Sequence, residues 1–549
     1  MPSPLQTVEV ILAFLFAVII VPASASLTDS SHIDGVQQEQ QLRLQNSTME
    51  WPSLRFNFSL KRRSMKVHGQ SDFSLLADPI VSMDGSHVTY NVFATFQEDM
   101  AIHNYTVFGG ASYYTSSSID PAITRTTVTC MEPELSHVPA INTIVAGLNG
   151  ATAIASASNG EISVKCSHNL FKVIVNDAKF AVCASGLSGF EMHGSDMDIV
   201  VEYLSTHATI SPPPLKDEKL PKCTEVNSNF VVTSTGKALL TGQLISSKDS
   251  RRLKADFDFD FSWGDSSSCS CKSTPRPCIF IHGMGVRTEL PYNLDSFKYW
   301  GNLTGHAPCC SSMKFAKLNT VNNTWTNDTQ QHQVCDRALA VSKTSTKSTI
   351  ADTIVVTHSM GNLMLAGAIA TGKCRLALSS TWVGIAGPMK GSMAADFIQD
   401  SCAGDTNFIL EKMVEGSGRC PPHTSLKSMS YQGQKHSNAR LDAAYRAAQK
   451  AYQANVYALM CSDSFSGLAS SDQVKLWTLG LVGQHHSLRN DGMVEFQSCA
   501  VGIPASMFGK TWRDRFYRSK VNHYDMQFKY GDALFNKAKM PVKWFECLL

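Results

Sequence analysis

The chain is 549 residues long, more than a single typical domain and enough for two or three. Hydrophobic residues make up 43% and charged residues 17%, a globular balance that excludes a wholly disordered chain. A formal net charge of +2 gives no electrostatic reason for a nucleic-acid partner, and none is expected.

Val10 to Val21 is an unbroken apolar run, and Ala23-Ser24-Ala25 follows as a small-residue cleavage site. The run is too short to span a bilayer comfortably, so residues 1–25 read as a secretory signal peptide, although the n-region lacks Lys and Arg and carries Glu9. Residues 26–69 begin polar and Gln-rich (Gln37, Gln38, Gln40, Gln41) and are expected to be a mobile mature N-terminus. All sixteen cysteines lie beyond the apolar run, and sequons stand at Asn46, Asn57, Asn104, Asn302, Asn322 and Asn327. Together these predict a secreted, disulfide-bonded glycoprotein with no transmembrane anchor in the mature chain; the cysteine pairing stays open.

Residues 70–265 read as a β-rich, sandwich-like domain of unknown role. Val88–Phe96, Phe171–Val175, Asp198–Tyr203 and Phe230–Val232 are strand-like runs separated by Gly, Asn and Asp. Ala255–Phe261 alternates aromatic and carboxylate residues. Asp256, Asp258 and Asp260 are read as a solvated strand face, since same-face neighbours in extended chain do not converge on a cation. Ser211-Pro212-Pro213-Pro214 is a loop or spacer, and residues 266–277 form a linker. Cys269, Cys271, Cys278, Cys309 and Cys310 cluster there without a Cys-x-x-Cys pair, which favours disulfides over zinc.

From 278 to 549 the pattern becomes α/β. Apolar strands at Cys278–Ile281, 353–357, Ser380–Ala386 and Val474–Leu479 alternate with helix-length segments, predicting a doubly wound, mostly parallel sheet. A helical insertion is expected at about 392–470. Within it a helix from Asn438 through Met460 carries the stripe Leu441, Ala444, Tyr445, Ala448, Tyr452 and Val456. It fits a lid over a cleft and a helix packed on the sheet equally well.

The β-branched run Thr353–Val356 leads into His358-Ser359-Met360-Gly361, and aliphatic residues at helical spacing follow. This strand, turn and helix resembles the nucleophile elbow of the α/β-hydrolases, with Thr357 where the family has its first glycine. Asn490-Asp491-Gly492-Met493-Val494 and Val521-Asn522-His523-Tyr524-Asp525 follow in the family's order and resemble the acid and base loops of triacylglycerol lipases. Gly387-Pro388-Met389-Lys390-Gly391-Ser392 is similar to the lipase segment after the elbow's next strand.

The resemblance implies Ser359 as nucleophile, His523 as base and Asp491 as the acid that orients it. It also implies Met360 and Met284 N–H as the oxyanion donors. Of seventeen histidines, His485 and His486 would reverse the order, His358 is too close to Ser359 to orient on it, and His282 is structural in relatives. Asp525 stands where some bacterial lipases bind calcium, but partner carboxylates are not recognisable, and a salt link or hydrogen bond is expected instead. No cofactor and no metal are expected.

The chain therefore reads as a secreted lipase- or esterase-like serine hydrolase acting on ester or lipid substrates at a lipid–water interface. An acyltransferase with the same site, and a catalytically silent scaffold binding a surface or glycan, are the alternatives.

Overall fold

The computed structural model describes residues 51–549 apart from 121–125, 132–140, 155–163, 167–168, 177, 186–187, 215–222, 226–230, 244–267, 407 and 471. The expected signal peptide, Asn46 and the alternating run 255–261 lie outside the described residues. Of the mobile N-terminus expected over 26–69, the described part is instead built into the fold: Leu54–Leu60 is a strand paired on both sides, because its alternating apolar residues have a face to bury. By its internal contacts the chain divides into two compact units. One comprises the residues up to Ser267 with Leu534–Asn536, the other Ser268–Ala533 with Lys537–Leu549.

The first unit holds β1 (Leu54–Leu60), β2 (Asp72–Val81), β3 (Val88–Glu98), β4 (Ala101–Phe108), β5 (Ala111–Ser118), β6 (Thr126–Met131), β7 (Thr152–Ile154), β8 (Leu170–Val175), β9 (Ala178–Ala184), β10 (Gly189–Gly194) and β11 (Met197–Tyr203). They form one antiparallel sheet in the order β6-β5-β4-β3-β2-β1-β11-β10-β9-β8-β7. The chain meanders outward from β1 and returns to the other side, so β11 closes against β1 with Phe56 opposite Val201. Along β1, buried Leu54, Phe56 and Phe58 alternate with exposed Arg55 and Ser59, which fixes the register by the face each residue can occupy.

The described residues contain no second sheet to complete the expected sandwich. Helices Ile141–Asn149, against β3 and β8, and Ser234–Thr241, against β10, pack on this sheet instead. Period-two alternation tells which face of a strand is buried and not what covers it. Val231, expected within a strand, makes a single bridge to His87. Disulfides Cys130–Cys223 and Cys166–Cys183 staple this unit.

The second unit holds β12 (Arg276–Ile281), β13 (Cys310–Phe315), β14 (Thr349–Ile350), β15 (Ile354–His358), β16 (Arg375–Leu376), β17 (Thr381–Ile385), β18 (Val456–Ser462) and β19 (Phe516–Ser519). Six of them form a sheet in the order β13-β12-β15-β17-β18-β19, and every pairing is parallel. β14 and β16 pair separately. All residues of β15 and β17 are buried, as strands covered on both faces must be. The chain steps from β12 outward to β13 and then back across to β15, so the order reverses between β12 and β15. Crevices at the carboxyl ends of strands flanking such a reversal are where open α/β sheets bind ligands.

Two sequence expectations are corrected here. Val474–Leu479 is not a strand; it lies in helix Gln473–Val482. A short apolar run cannot be assigned by periodicity alone, and this one continues beyond strand length. Three strands of the sheet, β13, β18 and β19, lie outside the expected ones, and β18 begins within the expected helix Asn438–Met460. The helix is Ala439–Asn455, and the chain turns extended at Val456.

The stripe on that helix is packing surface. Leu441, Tyr445, Ala448 and Tyr452 are buried, and the helix lies on helix Met360–Ala370. Fully burying a side chain of this size stabilises by about 1.5–3 kcal/mol. Tyr452 meets Trp382 of β17 edge to face at 5.3 Å.

Six disulfides staple the unit: Cys269–Cys547, Cys271–Cys309, Cys278–Cys310, Cys335–Cys374, Cys402–Cys420 and Cys461–Cys499. Loops of 38 residues, as in two of them, give about 4 kcal/mol each in the chain-entropy account. Among the described residues no helix is long and apolar enough to cross a membrane.

Candidate active site

Ser359 stands between β15 and helix Met360–Ala370 with φ +55° and ψ −130°. For a residue with a Cβ such a conformation costs about 1–3 kcal/mol and persists only where the surroundings enforce it. They do so through hydrogen bonds. Ser359 N–H donates to the Ile385 carbonyl at 2.9 Å, and the Ser359 carbonyl accepts from Asn362 N and Nδ2 at 3.0 and 3.1 Å.

Two glycines make room for the turn. A Cβ on Gly361 would lie 2.6 Å from the Ile281 carbonyl oxygen, and one on Gly283 would lie 2.5 Å from Ser359 Cβ. At the first-glycine position, buried Thr357 donates its hydroxyl to Asn362 Oδ1 (2.6 Å) and accepts from Trp382 Nε1 (2.8 Å).

Three expected residues come together at this turn. His523 Nδ1 is 2.8 Å from Asp491 Oδ2, and His523 Nε2 is 3.0 Å from Ser359 Oγ. A carboxylate can only accept, so Nδ1 carries the proton and Nε2 is left to accept from the serine hydroxyl. The other Asp491 oxygen, Oδ1, accepts from Met493 and Val494 N–H at 2.9 and 2.7 Å, and the Asp491 carbonyl accepts from His523 N at 2.9 Å. Gly492 at φ +93° allows this tight loop. Ser359, Asp491 and His523 are all buried.

Met360 opens its helix, so its N–H is among those that find no intrahelical acceptor. Met284 follows Gly283 at the carboxyl end of β12 and lines the same cavity as Ser359 and His523. That cavity, about 440 Å³, is walled by apolar side chains that include Val286, Val321, Ile398, Leu426, Met429 and Val494. Among the described residues the lining includes Arg287, Arg419 and Lys529 but no carboxylate. Helix Met393–Ala403 and residues 417–429, the first part of the expected insertion, form one wall. Helix Ala439–Asn455 does not line it.

The rival histidines stand elsewhere. His282 Nε2 accepts from Leu318 N–H at 3.0 Å and its Nδ1–H donates to the Gly283 carbonyl at 2.7 Å. Burial holds its pKa near about 4, so it is a neutral structural group. His485 is buried against Glu495, with Nδ1 3.8 Å from Oε1. His486 offers its backbone N–H to the same oxygen at 2.5 Å. His358 points away from Ser359. Its Nε2–H donates to the His523 carbonyl at 3.0 Å, and its Nδ1 accepts from Tyr299 Oη at 2.7 Å.

Tyr299 is the participant that sequence reasoning missed: its hydroxyl also accepts from Gly283 N–H at 2.9 Å. It lies in a loop without period or motif, so no sequence signal marked it.

Asp525 is fully buried and accepts from Leu468 and Asn522 N–H at 2.7 and 3.0 Å, a hydrogen-bonded clamp on the His523 loop. Ser392 of the Gly-Pro segment caps helix Met393–Ala403 and donates to the Met493 carbonyl at 2.6 Å, which ties that segment to the Asp491 loop. Of the sequon asparagines, Asn302, Asn322 and Asn327 are exposed, whereas Asn57 and Asn104 are half-buried within strands.

No protein-family model and no curated protein matches the chain. Among solved structures, it is similar to a Staphylococcus hyicus lipase at 12% identity and a TM-score of 0.27, over 50% of this chain and 94% of that one. It is also similar to EstA from Clostridium botulinum at 12% identity and a TM-score of 0.29, over 55% of this chain and 94% of that one.

Proposed function

We propose that this protein is a serine hydrolase of the α/β-hydrolase type that cleaves carboxylic esters with apolar acyl chains. The observation that carries the reading is the continuous relay from Asp491 through His523 to the strained Ser359, at 2.8 and 3.0 Å. A cavity with apolar walls opens on that serine and supports the acyl preference.

In this reading Ser359 Oγ attacks the ester carbonyl while His523 Nε2 takes its proton, and Asp491 stabilises the imidazolium. Met360 and Met284 N–H carry the negative charge of the tetrahedral intermediate. The intermediate collapses, the alcohol leaves with the proton from His523, and water attacks the acyl-enzyme by the same relay to release the acid. The eight disulfides support a secreted protein, with exposed Asn302, Asn322 and Asn327 as the best-placed glycan carriers.

The test is turnover of nitrophenyl esters of increasing acyl length by the purified protein, beside Asp491→Asn. The reading expects turnover that rises beyond acetate, and a loss on the order of 10³–10⁴ in kcat in the variant. No turnover of any ester by the folded protein would overturn it. Adding an alcohol and analysing the products separates hydrolysis from acyl transfer.

A further inference from the structure

We propose that His68, Glu98 and His103 of the β-rich unit form a binding site for a divalent transition-metal ion of the zinc class. Glu98 ends β3, His103 lies on β4, and His68 sits between β1 and β2 at φ +46° beside Gly69 at φ +77°. The two imidazoles are nearly buried, with side chains 3% and 9% exposed, and the carboxylate that joins them reaches the surface.

The nitrogens divide into two sets. The far nitrogen of each ring meets a tyrosine hydroxyl: His68 Nε2 is 2.7 Å from Tyr105 Oη, and His103 Nδ1 is 2.7 Å from Tyr114 Oη. Tyr105 and Tyr114 are themselves a directly opposed pair on β4 and β5, so the sheet fixes both hydroxyls. The near nitrogens face one carboxylate oxygen. Glu98 Oε2 lies 2.7 Å from His68 Nδ1 and 3.9 Å from His103 Nε2, and the three ligand atoms lie within 4.8 Å of one another.

Metal-bound histidines have this arrangement, with one nitrogen on the ion and the other held by an outer partner that sets tautomer and ring orientation. Hydrogen bonding alone explains only half of it. The 2.7 Å contact is a hydrogen bond, whereas 3.9 Å is too long for one, so His103 Nε2 faces a carboxylate that it does not reach. A tetrahedral ion with bonds of about 2.0–2.2 Å holds its ligands about 3.4 Å apart, between those two separations. Two imidazoles and a carboxylate suit zinc, copper or nickel and not calcium or magnesium, which take oxygen ligands.

The rings are stacked with centroids 4.2 Å apart and planes within 8°, so a shared ion requires one ring to tilt. Glu98, half-exposed at a hairpin end, has the freedom to follow. Water fills the fourth position. The ion would pin the turn at His68 to the β3–β4 hairpin, stabilising the folded state by mass action. No sequence motif announces it, because its three ligands are brought together by strand pairing.

The test uses the full chain, stripped with chelator and desalted, then titrated with Co²⁺ and back-titrated with Zn²⁺. The proposal expects one Co²⁺ per chain with the visible absorption of a four-coordinate N/O site, displaced by Zn²⁺. Binding should be at least tenfold weaker in Glu98→Gln and in His103→Gln. Tyr114→Phe, which keeps all three ligands, should weaken binding tenfold or more through the lost outer contact. Absence of stoichiometric binding to the wild type, or binding that Glu98→Gln retains in full, overturns the proposal. Glu98 is half-exposed, and circular dichroism of that variant verifies its fold, so the second outcome is decisive even if His103→Gln does not fold.

Discussion

The imidazole of His358 holds the backbone of His523: its Nε2–H donates to the His523 carbonyl at 3.0 Å. Burial first, and then the neighbouring His523, push the His358 pKa well below its ordinary value, so this donor stays neutral and fixed in tautomer. Tyr299 completes the chain, donating to His358 Nδ1 and accepting from Gly283 N–H. His523 and the loop before Met284 are thereby positioned by one hydrogen-bonded path. Tyr299→Phe should lower kcat about tenfold with KM little changed, since misplacement of catalytic groups is felt in the chemical step. Steady-state kinetics check it. A raised KM at unchanged kcat would mean that Tyr299 serves only as cavity wall.

Gly283 is expected to tolerate no side chain. An added Cβ would lie 2.5 Å from Ser359 Cβ and 2.8 Å from Tyr299 Oη, so it must displace either the serine or the tyrosine. Gly283→Ala should reduce ester turnover at least 100-fold with the fold retained, since both neighbours belong to the site and not to the sheet. Turnover and thermal melting of the purified variant check both halves.

The candidate site is more legible in the sequence than the scaffold, and the reason is local. The turns around Ser359, Asp491 and His523 each require a short run of particular residues, so each leaves a mark a few residues long. Thr357 departs from that mark, and only the structure supplies the compensation, since its hydroxyl lies between Asn362 and Trp382. Tyr299 and His358 meet across 59 positions of sequence, a relation that no local pattern encodes. The scaffold errors have the same origin. The apolar run at Val474–Leu479 fits helix and strand alike, and the stripe from Leu441 runs into β18 without a breaking residue. Alternation in β1 revealed a buried face, while the helices that cover the sheet arrive from elsewhere in the chain.

Asp525 should leave a signature in the pH dependence of stability. Burial raises its carboxyl to about 7, against about 3.9 in an unfolded chain. Between about pH 4 and pH 7 the unfolded chain gives up this proton while the folded chain keeps it, so this group's contribution to stability falls as pH rises. The loss is complete above about 7. Buried His282, held near about 4, acts in the opposite sense but is common to wild type and variant. Asp525→Asn keeps an acceptor for Leu468 and Asn522 N–H and cannot ionise. The Tm of the variant relative to wild type should therefore climb from pH 4 to pH 7 and then level off. A difference that stays flat across that range would contradict the account.

The cavity lining predicts a charge preference. Arg287, Arg419 and Lys529 line the cavity, whose described lining holds no carboxylate, and Arg287 and Lys529 are exposed. At equal acyl length, an ester carrying an anionic group on its alcohol part should show a KM several-fold below that of a neutral one. The advantage should shrink at high salt, where exposed charges are screened. Arg287→Gln combined with Lys529→Gln, which leaves Arg419 in place, should reduce it by more than half while leaving kcat on the neutral ester unchanged. Paired KM measurements at low and high ionic strength decide.

Activation of Ser359 as a nucleophile is read out by covalent labelling with a fluorophosphonate. The purified chain should label with one equivalent, and peptide mapping should place the adduct on Ser359. Labelling should disappear in Ser359→Ala and fall at least 100-fold in His523→Ala. A folded wild type that does not label, including in the presence of detergent or lipid, or an adduct on any other residue, would contradict the account.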